Sequence, residues 1–246
     1  MLIWKAEVFG VDVKSITFDG VNSWDDLQLL LSNAEIGYPK KNKSRIQIPN
    51  SNIYYDYADL FGDFYEERTL EFEFIIAEPN AMAIEDLEYK KGQIANWLEP
   101  GTKHKLSYSE IPFYYFLAEA QGDYDYTDEN GYALLKVKFV CYPYKVHEVD
   151  ESEDAWDAFE FENDVAQDLK FSVGGSHKCK VYNAGTAKVV PKLIVTGNVK
   201  VELNGLSETL SVGIHEQTKI ILSRGWNEVA LSGSGTIRFS FSKEVL

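Results

Sequence analysis

The sequence predicts a mainly β chain: an α+β N-terminal domain with a β-sandwich, one helix and a long β-hairpin, followed by a second β-sandwich. Three observations lead there. Aromatic residues make up 14% of the 246 residues, with 15 Tyr and 14 Phe, and flat rings favour pleated surfaces. Several segments alternate apolar and polar residues with period two. Only one long stretch carries a helical period. The hydrophobic fraction of 45% and charged fraction of 26% are ordinary globular values, and the length suits one or two domains.

Taken in chain order, Asp25–Ser32 (DDLQLLLS) reads equally as a short helix or a strand. Thr69–Ile76 (TLEFEFII) is a half-buried strand, with Leu70, Phe72 and Phe74 on one face and Glu71 and Glu73 on the other. A helix follows Glu78-Pro79. Asn80 is its expected cap, Glu85 and Asp86 sit near its positive end, and Ile84, Leu87, Ile94, Trp97 and Leu98 recur at helical spacing before Pro100-Gly101 stops it. Phe113–Ala120 (FYYFLAEA) and Leu134–Cys141 (LLKVKFVC) read as hairpin partners across a polar tip with an Asn130-Gly131 turn signal. Residues 171–246 alternate short strand patterns with Gly-containing turns and have no fixed repeat period, which suggests a sandwich. Gly174-Gly175-Ser176 also reads as a turn.

Charge marks the domain boundaries. Residues 1–145 hold 24 acids and 14 bases, residues 146–170 hold 10 acids and one base, and residues 171–246 hold 5 acids and 9 bases. The expected division is therefore an N-terminal domain over 1–146, an acidic connector over 147–170 and a C-terminal domain over 171–246. The net charge of −15 argues against coating nucleic acid or anchoring to anionic lipid, both of which need clustered Lys and Arg. No apolar run approaches the roughly 18 residues of a membrane span, and Met1–Gly10 lacks the pattern of a signal peptide. Cys141 and Cys179 read as buried free thiols rather than a disulfide framework.

Motifs that carry chemistry are scarce. His104, His147, His177 and His215 show no metal-ligand spacing, and His177 with Cys179 supplies two ligands where zinc needs more. Asp123, Asp125, Asp128 and Glu129 sit in an acidic tip, but position 6 is Asp128 and position 12 is Leu134, so the calcium-loop pattern fails. No nucleophile elbow, phosphate-cradling loop or dinucleotide fingerprint is present. Trp156 and Trp226 are the candidates for stacking on sugar rings, with core or edge packing the commoner role for Trp226. The residues nominate no catalytic, cofactor or metal site.

The order of features carries more than any motif. Ile16–Gly20 (ITFDG) is followed by Arg45–Asp56 (RIQIPNSNIYYD), by Tyr65, Arg68 and Phe72–Phe74, by the helix at 82–98, by Lys105-Leu106, and by a hairpin closing on Tyr142-Pro143-Tyr144. Asn183-Ala184-Gly185-Thr186, Pro191 and Gly197 come next, then Leu222, Gly225 and Asn227, then Ile237–Phe241. Over its whole length this order resembles the distal tail protein family of long-tailed, non-contractile phages and prophages, which forms the hub of the tail tip. One departure is Pro49-Asn50-Ser51-Asn52, where the family often has Gly after the Pro; Asn tolerates the left-handed backbone such a turn needs.

The resemblance implies a non-enzymatic virion protein at the tail tip, assembled in the cytoplasm of the bacterial host, without cofactor or membrane contact. Its first domain would close into a homo-hexameric ring, and its second, galectin-like in fold, would project outward. Expected partners are the major tail tube protein, the tail-tip or tail-associated lysin protein, and receptor-binding or baseplate proteins. DNA would pass through without specific binding. On this reading Tyr114, Tyr115 and Phe116, with Tyr124 and Tyr126, are the expected subunit interface. Asp123, Asp125, Asp128 and Glu129 are the expected channel-lining acids, since negative walls repel phosphate. A monomeric carbohydrate-binding β-sandwich adhesin and a glycan-degrading enzyme are the rival readings.

Overall fold

The computed structural model describes residues 13–43, 45–56, 64–76, 84–99, 101–122, 124–129, 132–152 and 165–246. The chain divides into two compact units, residues 1–145 and 146–246. The first contains β1 (Ile16–Phe18), β2 (Val21–Asn22), β3 (Leu29–Ile36), β4 (Lys41–Asn42), β5 (Arg45–Gln47), β6 (Tyr54–Asp56), β7 (Phe64–Tyr65), β8 (Arg68–Ile76), helix α1 (Ile84–Leu98), β9 (His104–Tyr108), β10 (Tyr114–Ala120), β11 (Asp125–Glu129) and most of β12 (Tyr132–His147). Its main sheet runs β2–β1–β9–β10–β12–β8–β3, with β11 paired to the start of β12. β4 pairs β7 and β5 pairs β6 in two small separate ladders.

Period-two patterning explains the centre of this sheet. Along β8 every second residue is buried, and the register sets Phe72 opposite Val137, Phe74 opposite Leu135 and Leu70 opposite Phe139. The alternate positions set Glu71 opposite Lys138 and Glu73 opposite Lys136; Glu71 also bonds Lys136 at 3.0 Å. Aromatic rings meet edge to face beneath the sheet: Phe18 and Phe139 at 5.0 Å, Phe72 and Tyr108 at 5.7 Å, Phe72 and Phe139 at 5.9 Å. Helix α1 covers this core with Ile94, Trp97 and Leu98. The Trp97 Nε1–H donates to the Phe18 carbonyl at 3.0 Å, so the indole buries its ring and still satisfies its donor. The expected cap, Asn80, lies outside the described residues.

The ambiguous segment 25–32 resolves into a turn and a strand. The Asn22 side chain accepts from the Trp24 and Asp25 amides, which closes a turn over residues 23–27. β3 then pairs β8 with a bulge between Leu31 and Asn33, where Ser32 donates its hydroxyl to the Glu73 carbonyl. The bulge interrupts strict alternation at the end of a segment whose pattern fits a short helix as well as a strand.

The second unit contains β13 (Lys170–Asn183), β14 (Lys192–Leu203), β15 (Leu206–Leu210), β16 (Gly213–His215), β17 (Gly225–Ser240) and β18 (Glu244–Val245). Its sheet runs β13–β17–β14–β15, and β16 also pairs β14. Where the sequence suggests short strands throughout, β13, β14 and β17 are long and continuous. At ~3.3 Å per residue, β17 would span about 50 Å if straight. Yet odd-numbered residues along its whole length, Val229 and Leu231 as well as Ile237 and Phe239, enter a single core. The strands must therefore bend, and glycines mark the corner. Gly197 pairs with Gly235, and Gly233 lies opposite both Val199 and Gly175. A Cβ on Gly235 would lie 1.7 Å from the Thr196 carbonyl oxygen, and one on Gly233 2.2 Å from that of Asn198. Neither position leaves room for a side chain against the neighbouring strand, so the glycines read as turns in the sequence fold strands over the core.

The motif residues of this unit organise its turns. Asn183 is fully buried; its amide donates to the Ala187 and Leu222 carbonyls and its oxygen accepts from the Gly185 amide. Asn227 accepts from the Ser223 amide and donates to the carbonyls of Ser223, Gly225 and Val181. The described ends of the acidic connector belong to the same unit. Asp150 accepts from Ser152 and Ser240, and Arg238 donates to Ser152, while Leu169 enters the core. Residues 153–164, including Trp156, lie outside the described residues.

Candidate functional site

The hairpin residues expected at a subunit interface separate by face. Strand β10 lies between β9 and β12, so its even-numbered residues point into the core. Phe116 is 0% exposed and Tyr114 is buried, with the Lys145 ammonium 5.1 Å from the Tyr114 ring. Both are taken up by the chain's own fold. Tyr115 is on the other face, half-buried, beneath the Lys105 ammonium at 4.9 Å. The FYYFLAEA pattern is apolar on both faces over its first half, and only the pairing with β9 and β12 selects the inner one.

The tip is a ladder rather than a loop. β11 pairs β12 with Asp125 opposite Lys136 and Tyr126 opposite Leu135. Tyr124 and Tyr126 turn toward α1. The Tyr124 hydroxyl donates to the Leu98 carbonyl at 3.3 Å, and the Lys91 ammonium stands 5.2 Å from the Tyr126 ring. The Tyr126 hydroxyl is buried without a hydrogen-bond partner among the described residues. Burial pushes both phenols above their ordinary pKa, with neighbouring negative charge adding to it. Of the expected channel acids, Asp125 is exposed. Asp123 and the side chains of Asp128 and Glu129 lie outside the described residues.

The structure exposes apolar groups that the pattern of the sequence did not single out. Ile46, Ile53 and Tyr54 stand in solvent on the β5–β6 hairpin, whose turn carries Asn50 at φ +59°. This is the Pro49-Asn50 turn, closed by asparagine in the left-handed conformation that glycine usually supplies. In the second unit Trp226 is 56% exposed and packs on Tyr182 with ring centroids 5.0 Å apart. Its place is thus a sheet surface and not the core. The Gln167 side chain grips both the amide and the carbonyl of Tyr182, which fixes that platform.

Among the described residues nothing in the titration chemistry marks a reactive centre. Burial raises the Cys141 thiol to about 12 and the Cys179 thiol to about 11, which holds both in the unreactive neutral form. Among the described residues no group of three or more His, Cys, Asp or Glu is placed to hold a metal ion. No described helix is long and apolar enough to cross a membrane.

No family model matches the sequence, and no curated protein matches it. The fold does have a counterpart among solved structures. The Dit protein of phage SPP1, described as a paradigm of the hub adsorption apparatus in phages that infect Gram-positive bacteria, superposes with a TM-score of 0.66 at 14% identity. The match covers 96% of this chain and 100% of that one. At that identity the likeness is one of architecture, and it spans both units: the chain has the fold of a phage tail hub protein of the Dit type.

Proposed function

We propose that this chain is a structural protein of a phage tail tip and serves as the hub of the adsorption apparatus. The observation that carries the reading is the whole-length fold match to the SPP1 Dit protein, which includes both units rather than one widespread domain. On this reading six copies close into a ring by head-to-tail contacts between different surfaces of the first unit. The ring joins the tail tube protein to the tail-tip or lysin protein, receptor-binding or baseplate proteins attach outside, and DNA slides through the centre. Exposed apolar residues suit such contacts, and Ile46, Ile53 and Tyr54 with the outer-face Tyr115 are the residues we assign to them. Asp125 and its acidic neighbours face the lumen in this proposal, where their charge keeps phosphate from adhering.

Mass measurement and negative-stain imaging of the purified protein test it. A ring with a central hole and a mass six times the 28.0 kDa chain is the expected result. A lumen lined by lysines, or closed assemblies without a hole, would sink the DNA-passage role.

Trp226 favours a second reading, in which the second unit binds saccharide. An exposed indole on a fixed tyrosine offers a flat apolar surface for a sugar ring. Glycan-array binding that disappears in Trp226→Ala while the protein remains monomeric would select that reading over the hub.

A further inference from the structure

We propose that Arg68 is half of an anion site completed by a carboxylate side chain from a second copy of this chain. The proposal rests on the ring reading above and gives it a specific contact. Arg68 begins β8 at a core-facing position and is only 3% exposed. Its guanidinium stands 5.4 Å from the Phe116 ring and 5.9 Å from the Tyr38 ring. Its Nε is buried with no hydrogen-bond acceptor among the described residues. A buried guanidinium is normally paired, because an uncompensated charge away from water is among the costliest features a fold can carry.

Two of the acids close to it in sequence are already engaged. Glu67 pairs with Lys103, and Glu71 with Lys136 and Lys138. Burial shifts the Arg68 pKa downward, in keeping with a missing counter-ion. The group nevertheless lies just beneath the surface, since Tyr38, whose ring is 5.9 Å away, is 85% exposed. Stacking on rings engages the face of a guanidinium and leaves its in-plane N–H donors, the fork that a carboxylate takes in bidentate fashion. Residues 1–145 hold 24 acids against 14 bases, so a neighbouring copy presents carboxylates in excess. The proposed contact requires the exposed Tyr38 side chain to swing aside.

The test compares the unaltered full-length chain with Arg68→Met, which keeps the apolar stem, and Arg68→Lys, which keeps the charge but loses the fork. Mass in solution is followed against concentration, and thermal unfolding is measured where the unaltered chain is monomeric. The expected result is a dissociation midpoint raised at least tenfold by Met and by less in Lys, with the Met monomer melting at or above the unaltered chain. A residue serving only its own fold would instead lower the monomer's midpoint, and that outcome overturns the inference. Equal assembly by all three chains overturns it too and leaves the hub reading standing. If the unaltered chain forms no ring at any concentration, the hub reading fails first and this inference falls with it.

Discussion

Gly235→Ala probes the corner on which the second unit depends. Gly235 has φ +144°, a backbone region closed to residues with a side chain, and an added Cβ would lie 1.7 Å from the Thr196 carbonyl oxygen. An ordinary C···O contact is about 3.3 Å, so β14 and β17 would have to part by about 1.6 Å where Thr196 pairs Thr236 and Gly197 pairs Gly235. Overpacking costs ~1–3 kcal/mol and backbone strain ~1–3 kcal/mol more, so about 4 kcal/mol is a central expectation. That is a large part of the ~5–15 kcal/mol that holds a domain folded. For a unit of roughly 100 residues it corresponds to a fall in midpoint of about 15–30 °C. Scanning calorimetry of the whole chain measures it, with Gly174→Ala as control, since a Cβ there meets nothing within 4 Å. The control is expected to stay within ~1 kcal/mol of the unaltered chain. Equal losses at the two sites, or a Gly235→Ala loss below ~1 kcal/mol, would refute the corner argument.

Asn227→Ala strands the Ser223 amide and removes three donated bonds from a buried turn, and should cost about 2–3 kcal/mol in urea unfolding. Trp97→Phe keeps the ring against Phe18 but leaves the Phe18 carbonyl without its donor, for a loss of ~1–2 kcal/mol by the same assay. Neither thiol should react with a disulfide reagent at pH 8 in the native protein, and both should react in urea. The raised thiol values also set a pH trend. The folded chain keeps protons that the unfolded chain loses above its ordinary thiol value near 9, so stability should fall as pH rises from there toward about 12. A flat stability profile across that window would contradict the burial of Cys141.

How far the fold could be read from the sequence varied with the kind of information each element needed. β8 and β12 were legible because alternation along one strand names its inner face without reference to any other segment. Helix α1 was legible from the three- and four-residue spacing of Ile94, Trp97 and Leu98, which marks one helix face. The Phe113–Ala120 segment was legible as a strand, but its inner face was not. Apolar residues occupy both faces, and the pairing of β10 with β9 and β12 decides that Phe116 is core while Tyr115 is surface. Arg68 reads in the sequence as part of a strand motif; that it is buried with an unpartnered Nε follows only from tertiary packing.

By itself the sequence determined that this is a mainly β protein with one long helix and an acidic first half, because composition and short-range periodicity are properties of neighbouring residues. Only the tertiary structure decided what Gly175, Gly197, Gly233 and Gly235 do. A glycine permits a turn and a bent strand alike, and the difference is whether a partner strand continues past it. Here partners continue on both sides, so the glycines line up across three strands and fold them over one core. That alignment joins residues up to 60 positions apart in the chain, a relation that no local pattern contains.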